Sequence, residues 1–150
     1  MPFQKRGIAY ALHPLRHGRV LIADEMGTGK SVQAIATALA LAPHRILIIC
    51  PASLRLTWAE ELQKWAPKIF PPSEIHVIME SNDKWADKGV TRFVTIISYR
   101  MLMILGRHVT HGDLFDLVII DEAHNCLRTS TGSSDSQQGV AIVHFIPFTS

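Results

Sequence analysis

The sequence predicts a three-layer α/β sandwich in which helices cover both faces of a mostly parallel sheet. Four short apolar runs rich in Val and Ile recur along the chain, and such continuous runs are typical of strands buried on both faces. Segments of helical composition lie between the first three runs, and this alternation favours βαβ units. The length of 150 residues suits one domain with a proper core.

The strands are expected where the apolar runs lie. They are RVLIAD (19–24), RILIICP (45–51), FVTIIS (93–98) and DLVIIDE (116–122), with a weaker one at EIHVIM (74–79). The first helix is KSVQAIATALALA (30–42), which is full of helix formers and ends at Pro43. The second is SLRLTWAEELQKWAP (53–67), in which apolar residues recur at helical spacing and predict a core-facing side; they are Leu54, Trp58, Leu62 and Trp65.

The last part of the chain has a different character. LRTSTGSSDSQQG (127–139) is polar and lacks periodicity, which is typical of a mobile loop. VAIVHFIPF (140–148) could form one more strand or an apolar tail without a packing partner. We therefore expect a folded lobe over 1–128, a polar disordered loop over 129–139 and an atypical apolar tail over 140–150.

Composition is that of a folded globular protein. Apolar residues make up 47% and charged residues 19% of the chain, outside the disordered range. Two cysteines are too few for a disulfide framework, which favours a reducing intracellular location. No apolar run approaches the roughly 20 residues of a membrane span. The net charge of +2 neither requires nor excludes nucleic acid, because binding depends on local patches.

DEMGTGKS (24–31) resembles a phosphate-binding P-loop that lacks its first glycine. In the usual G-x-x-x-x-G-K-[ST] pattern, backbone N–H groups cradle phosphates, the lysine reaches the terminal phosphates, and the hydroxyl binds magnesium. Asp24 stands where that glycine is expected. The segment nevertheless lies between a predicted strand and a predicted helix, which is the context that the motif requires. Gly27 and Gly29 permit close approach of the backbone to phosphate.

DLVIIDEAHN (116–125) supplies the second half of a nucleotide site. An apolar strand delivers Asp121 and Glu122 at its carboxyl end, the edge at which open parallel sheets bind ligands. A nucleotide hydrolase needs one carboxylate near Mg²⁺ and another that orients or deprotonates the attacking water. The alternative is an acidic turn beside an unrelated glycine turn, and average composition makes DEAH a rare chance event.

These motifs together resemble the first RecA-like lobe of Swi/Snf-type ATPases, the helicase ATP-binding domain of superfamily two. PFQKRGIAYAL resembles the family's glutamine motif, LIADEMGTGKSVQAI its motif I, CPASLRLTWAEELQKW its motif Ia, TIISYRML its motif Ib and IIDEAHN its DEAH-box motif II. An Asp is common in that family at the position of Asp24. The sequences PASLRLTW and PFQKRG are most similar to those of the annealing-helicase branch, whose members rewind DNA and remodel stalled forks.

The resemblance implies that ATP and Mg²⁺ are the cofactors. Gln4 would contact the adenine edge, and the loop residues Asp24, Glu25, Met26, Gly27, Thr28 and Gly29 would surround the phosphates. Lys30 would hold the β- and γ-phosphates, and Ser31 and Asp121 would hold Mg²⁺. Glu122 would position the hydrolytic water, which makes Lys30, Asp121 and Glu122 the expected catalytic residues.

The resemblance also implies DNA as the partner. Pro51, Ala52 and Ser53, together with Ser98 and Tyr99, would lie near the DNA backbone, where contacts carry no sequence specificity. His124 would couple the nucleotide state to the DNA side. A nuclear location and a role in DNA repair or replication-fork remodelling follow from the family, with no membrane association.

Two departures from the family bear on activity. No Ser/Thr-Gly-Thr motif follows the DEAH box, and the second RecA-like lobe, which supplies arginines to the site, is absent from this sequence. Loss of an arginine finger can cost on the order of 10³-fold in rate. We therefore expect a truncated or alternatively spliced half-motor with little turnover by itself.

Three alternatives stay open at this point. The chain could be a non-catalytic nucleotide- or DNA-binding module that competes with a full motor, or the ATPase lobe of a chromatin remodeller. A small P-loop ATPase or kinase fits the loop but leaves PASLRLTW and ISYRML unexplained. Among individual residues, Arg55, Lys64 and Lys68 are expected on a solvated helix face, and Gln4 alone could be a solvated helix residue.

Overall fold

The computed structural model describes residues 5–6, 9, 19–22, 29–82, 93–109, 115–122 and 140–144. In these segments the strands are Arg19–Ile22 (β1), Arg45–Cys50 (β2), Ile75–Val77 (β3), Phe93–Ser98 (β4), Leu117–Ile120 (β5) and Val140–His144 (β6). The α-helices are Lys30–Leu41 (α1), Arg55–Trp65 (α2) and Tyr99–Val109 (α3), and short 3₁₀ turns lie at Ala52–Leu54 and Pro72–Glu74. All five predicted strands and both predicted helices are present, within a few residues of their predicted bounds.

One sheet contains all six strands, in the order β1-β6-β5-β2-β4-β3. Strands β5, β2, β4 and β3 are parallel to their neighbours. Strand β6 is antiparallel to both β1 and β5, so β1 runs in the same direction as the parallel strands. The prediction of a mostly parallel sheet is confirmed. Of the two alternatives for the apolar stretch after residue 139, residues 140–144 form the strand and are not an unpaired tail.

Helices pack on both faces of the sheet, which gives the predicted three layers. Successive side chains of β2 point to opposite faces, as the pleat requires. Ile46, Ile48 and Cys50 join a buried cluster with α1 and α2, whereas Leu47 and Ile49 join a second cluster with α3. Helix α3 has no counterpart in the sequence-based prediction. None of the three described helices is long and apolar enough to cross a membrane.

One predicted core residue lies at the surface. Trp58 and Leu62 are buried, but Trp65 is 50% exposed, so its assignment to the core face was wrong. Helix α2 ends at Trp65, and the buried residues Ala66 and Phe70 join the cluster just beyond the helix end. The indole Nε1 of Trp65 instead donates to Glu61 Oε2 at 2.7 Å.

The amino ends of β2 and β5 are held together by Asp116. Its carboxylate accepts hydrogen bonds from the backbone N–H groups of His44 and Arg45, each at 2.7 Å. The Asp116 N–H in turn donates to the Arg45 carbonyl at 3.2 Å. This contact fixes the two central strands at one edge of the sheet, and their carboxyl ends therefore meet in register at the opposite edge.

Candidate functional site at the carboxyl edge of the sheet

The strand before the phosphate loop (β1) and the strand before the acidic pair (β5) end at nearly the same level of the sheet, with one strand, β6, between them. Ile22, the last residue of β1, pairs with Val140, and Ile120, the last residue of β5, pairs with Ala141. Adjacent strands lie about 4.8 Å apart, so the ends of β1 and β5 are separated by about 10 Å across β6.

Helix α1 begins at the predicted phosphate-binding lysine. Gly29 precedes it in the left-handed conformation, with φ 75° and ψ 40°, which a residue with a Cβ adopts only at a cost. The Gln33 N–H donates to the Gly29 carbonyl at 3.0 Å and starts the helix. Among the described residues no side-chain hydrogen bond caps Gly29, and the positive end of the helix dipole lies at this end of α1. Lys30 and Ser31 are half-buried.

Asp121 is held by its backbone and its side chain. Its N–H donates to the Ile49 carbonyl at 2.8 Å, which extends the β2–β5 ladder by one residue. Oδ1 accepts the Glu122 N–H at 2.9 Å, and Oδ2 accepts the Trp58 indole Nε1–H at 2.9 Å. The Tyr99 hydroxyl donates to the Asp121 carbonyl. The carboxylate of Asp121 is thus fixed in direction.

Glu122 follows with an unusual backbone. Its φ is 51°, in the left-handed region that non-glycine residues rarely occupy. The side chains of Asp121 and Glu122 are both half-buried. Both residues follow directly after β5, at its carboxyl end.

The segments predicted to lie near DNA, 51–53 and 98–99, lie at the carboxyl ends of β2 and β4. Ala52 and Ser53 are exposed on the 3₁₀ turn after β2. Ser98 is 3% exposed, and its Oγ accepts the Met101 N–H at 3.3 Å. The Ser98 hydroxyl therefore caps the first turn of α3, and this position does not support a direct phosphate contact by that hydroxyl.

Arg55 also has a structural role at this edge. Its guanidinium donates to the carbonyls of Ala52 at 3.0 Å and Ile78 at 2.8 Å. The side chain thereby joins the turn after β2 to the segment after β3. The sequence predicted a solvated helix face for Arg55 and did not predict these hydrogen bonds. Helical periodicity gives no information about contacts with backbone carbonyls outside the helix.

Cys50 lies beneath this edge as a buried thiol. Burial, and secondarily the negative charge of Asp121, raises the pKa of Cys50 from 9.0 to about 12, and Arg55 opposes the shift. Burial and a nearby anion both disfavour the thiolate. The thiol is therefore protonated at neutral pH and does not act as a thiolate ligand or nucleophile there.

Most of the predicted site residues that the structure describes lie at the end of a strand or at the start of a helix. Gly29 precedes α1 and Lys30 and Ser31 are its first residues; Asp121 and Glu122 follow β5, residues 51–53 follow β2, and Ser98 and Tyr99 lie where β4 passes into α3. Gln4, the loop residues 24–28 and His124 lie outside the described residues, and so do 129–139. Sequence reasoning missed the hydrogen bonds of Trp58 and Tyr99 to Asp121. The available signal was that a buried indole N–H needs an acceptor.

Comparison with known proteins places these motifs in one family model. The model for the SNF2-related domain matches residues 3–138, which include every predicted site residue. The chain is 41% identical over 128 residues to the DNA annealing helicase and endonuclease ZRANB3 of Mus musculus, an alignment that covers 83% of the chain and 12% of that protein.

A second group of relatives gives similar alignments. The SWI/SNF-related matrix-associated actin-dependent regulator of chromatin subfamily A-like protein 1 of Xenopus tropicalis is 38% identical over 128 residues, covering 83% of the chain and 12% of that protein. The protein of the same name from Drosophila melanogaster is 31% identical over 160 residues, an alignment that covers 98% of the chain and 20% of that protein. The chain thus spans only 12% to 20% of the length of these relatives.

Proposed function

Because this chain belongs to the SNF2-related domain family, we propose that it is the ATP-binding lobe of a DNA-dependent ATPase of annealing-helicase type. The resemblance to Swi/Snf-type ATPases drawn from the motifs is confirmed by the family match. The proposed setting is DNA repair or replication-fork remodelling in the nucleus. The names of the relatives, a DNA annealing helicase and a chromatin regulator, support this setting.

One observation carries the proposal. The strands before the phosphate loop and before the acidic pair end on neighbouring residues of β6, Val140 and Ala141. Asp121 and Glu122 directly follow β5, and Lys30 and Ser31 begin the helix that comes after β1 in the chain. Carboxyl edges of parallel strands are the usual ligand sites of open α/β sheets.

The residues at this edge fit a magnesium nucleotide. Hydroxyl and carboxylate oxygens are the ligands that Mg²⁺ prefers, and Ser31 and Asp121 offer one of each. A carboxylate has about four lone-pair sites, and two of those on Asp121 are used by Trp58 and Glu122, so acceptor capacity remains. The positive end of the α1 dipole, at Gly29 and Lys30, favours bound phosphate.

Each residue has a distinct part in the proposed ATP hydrolysis. Lys30 binds the β- and γ-phosphates, and Ser31 and Asp121 hold Mg²⁺, which when bound offsets negative charge on the phosphate oxygens. Glu122 orients the attacking water and accepts a proton from it. The water oxygen bonds to the γ-phosphorus, the bond to the leaving oxygen breaks, and the products are ADP and phosphate.

The first test is ATP binding by the lysine variant. We expect Lys30→Ala to lose at least about tenfold in ATP affinity, because charge-assisted contacts contribute roughly 1.5–3 kcal/mol. Isothermal titration calorimetry with ATP and Mg²⁺ measures this, and circular dichroism checks that the variant folds.

Lys64→Ala provides the matched control. It removes the same charge from an exposed position on α2, where Lys64 pairs with Glu61 at 3.8 Å. Its ATP affinity should equal that of the wild type. Equal affinities of the wild type and Lys30→Ala would contradict the proposed nucleotide site.

A further inference from the structure

We propose that Trp58 is a positioning residue for the metal-binding carboxylate, and that its indole N–H fixes the orientation of Asp121. This inference rests on the proposed function of Asp121 as a Mg²⁺ ligand. Trp58 Nε1 donates to Asp121 Oδ2 at 2.9 Å, across 63 residues of sequence. The bond joins the middle of α2 to the end of β5.

Packing holds the donor in place. The Trp58 side chain is only 2% exposed and belongs to the core cluster that includes Ile48, Leu62 and Ile119. An indole has two side-chain torsions, and a buried ring in a dense core is restricted to one arrangement of them. The N–H at its edge therefore has a fixed position against the half-buried carboxylate.

The chemistry of the pair suits a metal site. Indole nitrogen is a donor only and keeps its proton throughout the physiological pH range, so it cannot compete with Asp121 for the cation. A hydrogen bond to a charged acceptor is stronger than one between neutral groups. Partners that orient metal ligands in this way commonly change metal affinity by 10–100-fold when they are removed.

Trp58 holds a different atom of Asp121 from the other contacts described for that residue. The Ile49 carbonyl and the Tyr99 hydroxyl hold its backbone, and the Glu122 N–H donates to Oδ1. Oδ2 is held by an element that is distant in sequence. Without this bond the Glu122 N–H alone, among these contacts, would restrain the terminal torsion of the carboxylate, which has a broad energy minimum.

A purely structural Trp58 would act through its ring, whereas a positioning Trp58 acts through its N–H. The two roles are separated by 3-benzothienylalanine, in which sulfur replaces the N–H and the ring size is retained. In a Trp65→Phe, Trp85→Phe background the chain keeps one tryptophan, so a tryptophan-auxotrophic host places the analogue at position 58 alone. The same background with ordinary tryptophan is the matched control.

The readout is the factor by which Mg²⁺ tightens ATP binding, measured by calorimetry with Mg²⁺ and with EDTA. We expect this factor to fall about tenfold in the analogue protein, while the affinity in EDTA stays unchanged. An unchanged factor in a folded analogue protein would overturn the proposal. Absence of ATP binding by the control protein under both conditions would instead overturn the proposed function, and this inference with it.

A second measurement decides the matter if the analogue protein does not fold. In the ¹H–¹⁵N spectrum of the unsubstituted chain, the indole resonance of Trp58 should shift on Asp121→Asn and on addition of Mg²⁺ with ATP. The Trp65 indole, which donates to Glu61 on the same helix, should shift in neither case. A Trp58 resonance that responds to neither change would overturn the proposal.

Discussion

Glu122 has a backbone conformation that glycine adopts most easily. At φ 51° its Cβ approaches the neighbouring carbonyl oxygen, which costs roughly 1–2 kcal/mol for a residue other than glycine. Such strain persists where the surrounding structure holds it, and it is frequent at functional sites. Here the left-handed turn follows directly from the fixed position of Asp121, whose Oδ1 accepts the Glu122 N–H.

We expect Glu122→Gly to be more stable than Glu122→Ala by about 1 kcal/mol. Both variants lose the carboxylate, but only alanine keeps a Cβ in the left-handed region. Urea unfolding followed by circular dichroism measures the difference in the free energy of unfolding. At the exposed helix position Ala40 the order should reverse, since glycine inside a helix costs about 1 kcal/mol relative to alanine. Equal stability of the two variants at position 122 would argue against the strained turn.

At the scale of elements, helix α2 contributes to two parts of the molecule. Its buried side supplies Trp58 and Leu62 to the core, and the same Trp58 reaches Asp121. The 3₁₀ turn that precedes α2 carries the exposed residues Ala52 and Ser53. The segment that resembles motif Ia therefore connects a surface proposed to lie near DNA with the proposed metal ligand.

We expect Ser53→Glu to weaken the binding of double-stranded DNA about equally for unrelated sequences. The added carboxylate would repel backbone phosphates, and phosphate contacts carry no sequence information. Fluorescence anisotropy at low salt gives the affinities. Ser73→Glu is the matched control, because Ser73 is exposed on the turn before β3, at the opposite edge of the sheet. Equal DNA affinities of these two variants would contradict the proposed DNA-facing edge.

The strands and helices were predictable where one periodic signal was present. The signal for β2, β4 and β5 is a short run rich in Val and Ile, and the signal for α1 is a run of helix formers that ends at Pro43, so local sequence decided those elements. Helix α3 was missed because its first residues follow β4 without a break. The Trp58–Asp121 bond was not predictable, since it joins residues 63 positions apart and depends on how α2 packs.

At the scale of the whole molecule, β6 determines how the two halves of the site are arranged. It lies between β1 and β5 and pairs with both, and among the described residues β1 has no other strand partner. The family match ends at residue 138, before β6 begins. Strand β6 is antiparallel to β1 and β5. The apolar run at 140–148 did not predict this direction, because an apolar pattern is the same in a parallel and an antiparallel strand.

The dependence of the site on β6 can be tested with a proline at its centre. Ile142 pairs with Val20 of β1 and with Ile119 of β5. Proline has no N–H and is not tolerated inside a sheet, so Ile142→Pro should break the ladder through β6. We expect ATP affinity to fall at least tenfold, because β1, which leads into the proposed phosphate loop, would no longer be held in the sheet with β5. Amide hydrogen exchange should rise in β1 and stay slow in β2 and β4, which pair with each other. Ile142→Ala keeps the N–H and should retain most of the affinity, whereas full ATP affinity in the proline variant would show that β6 does not align the site.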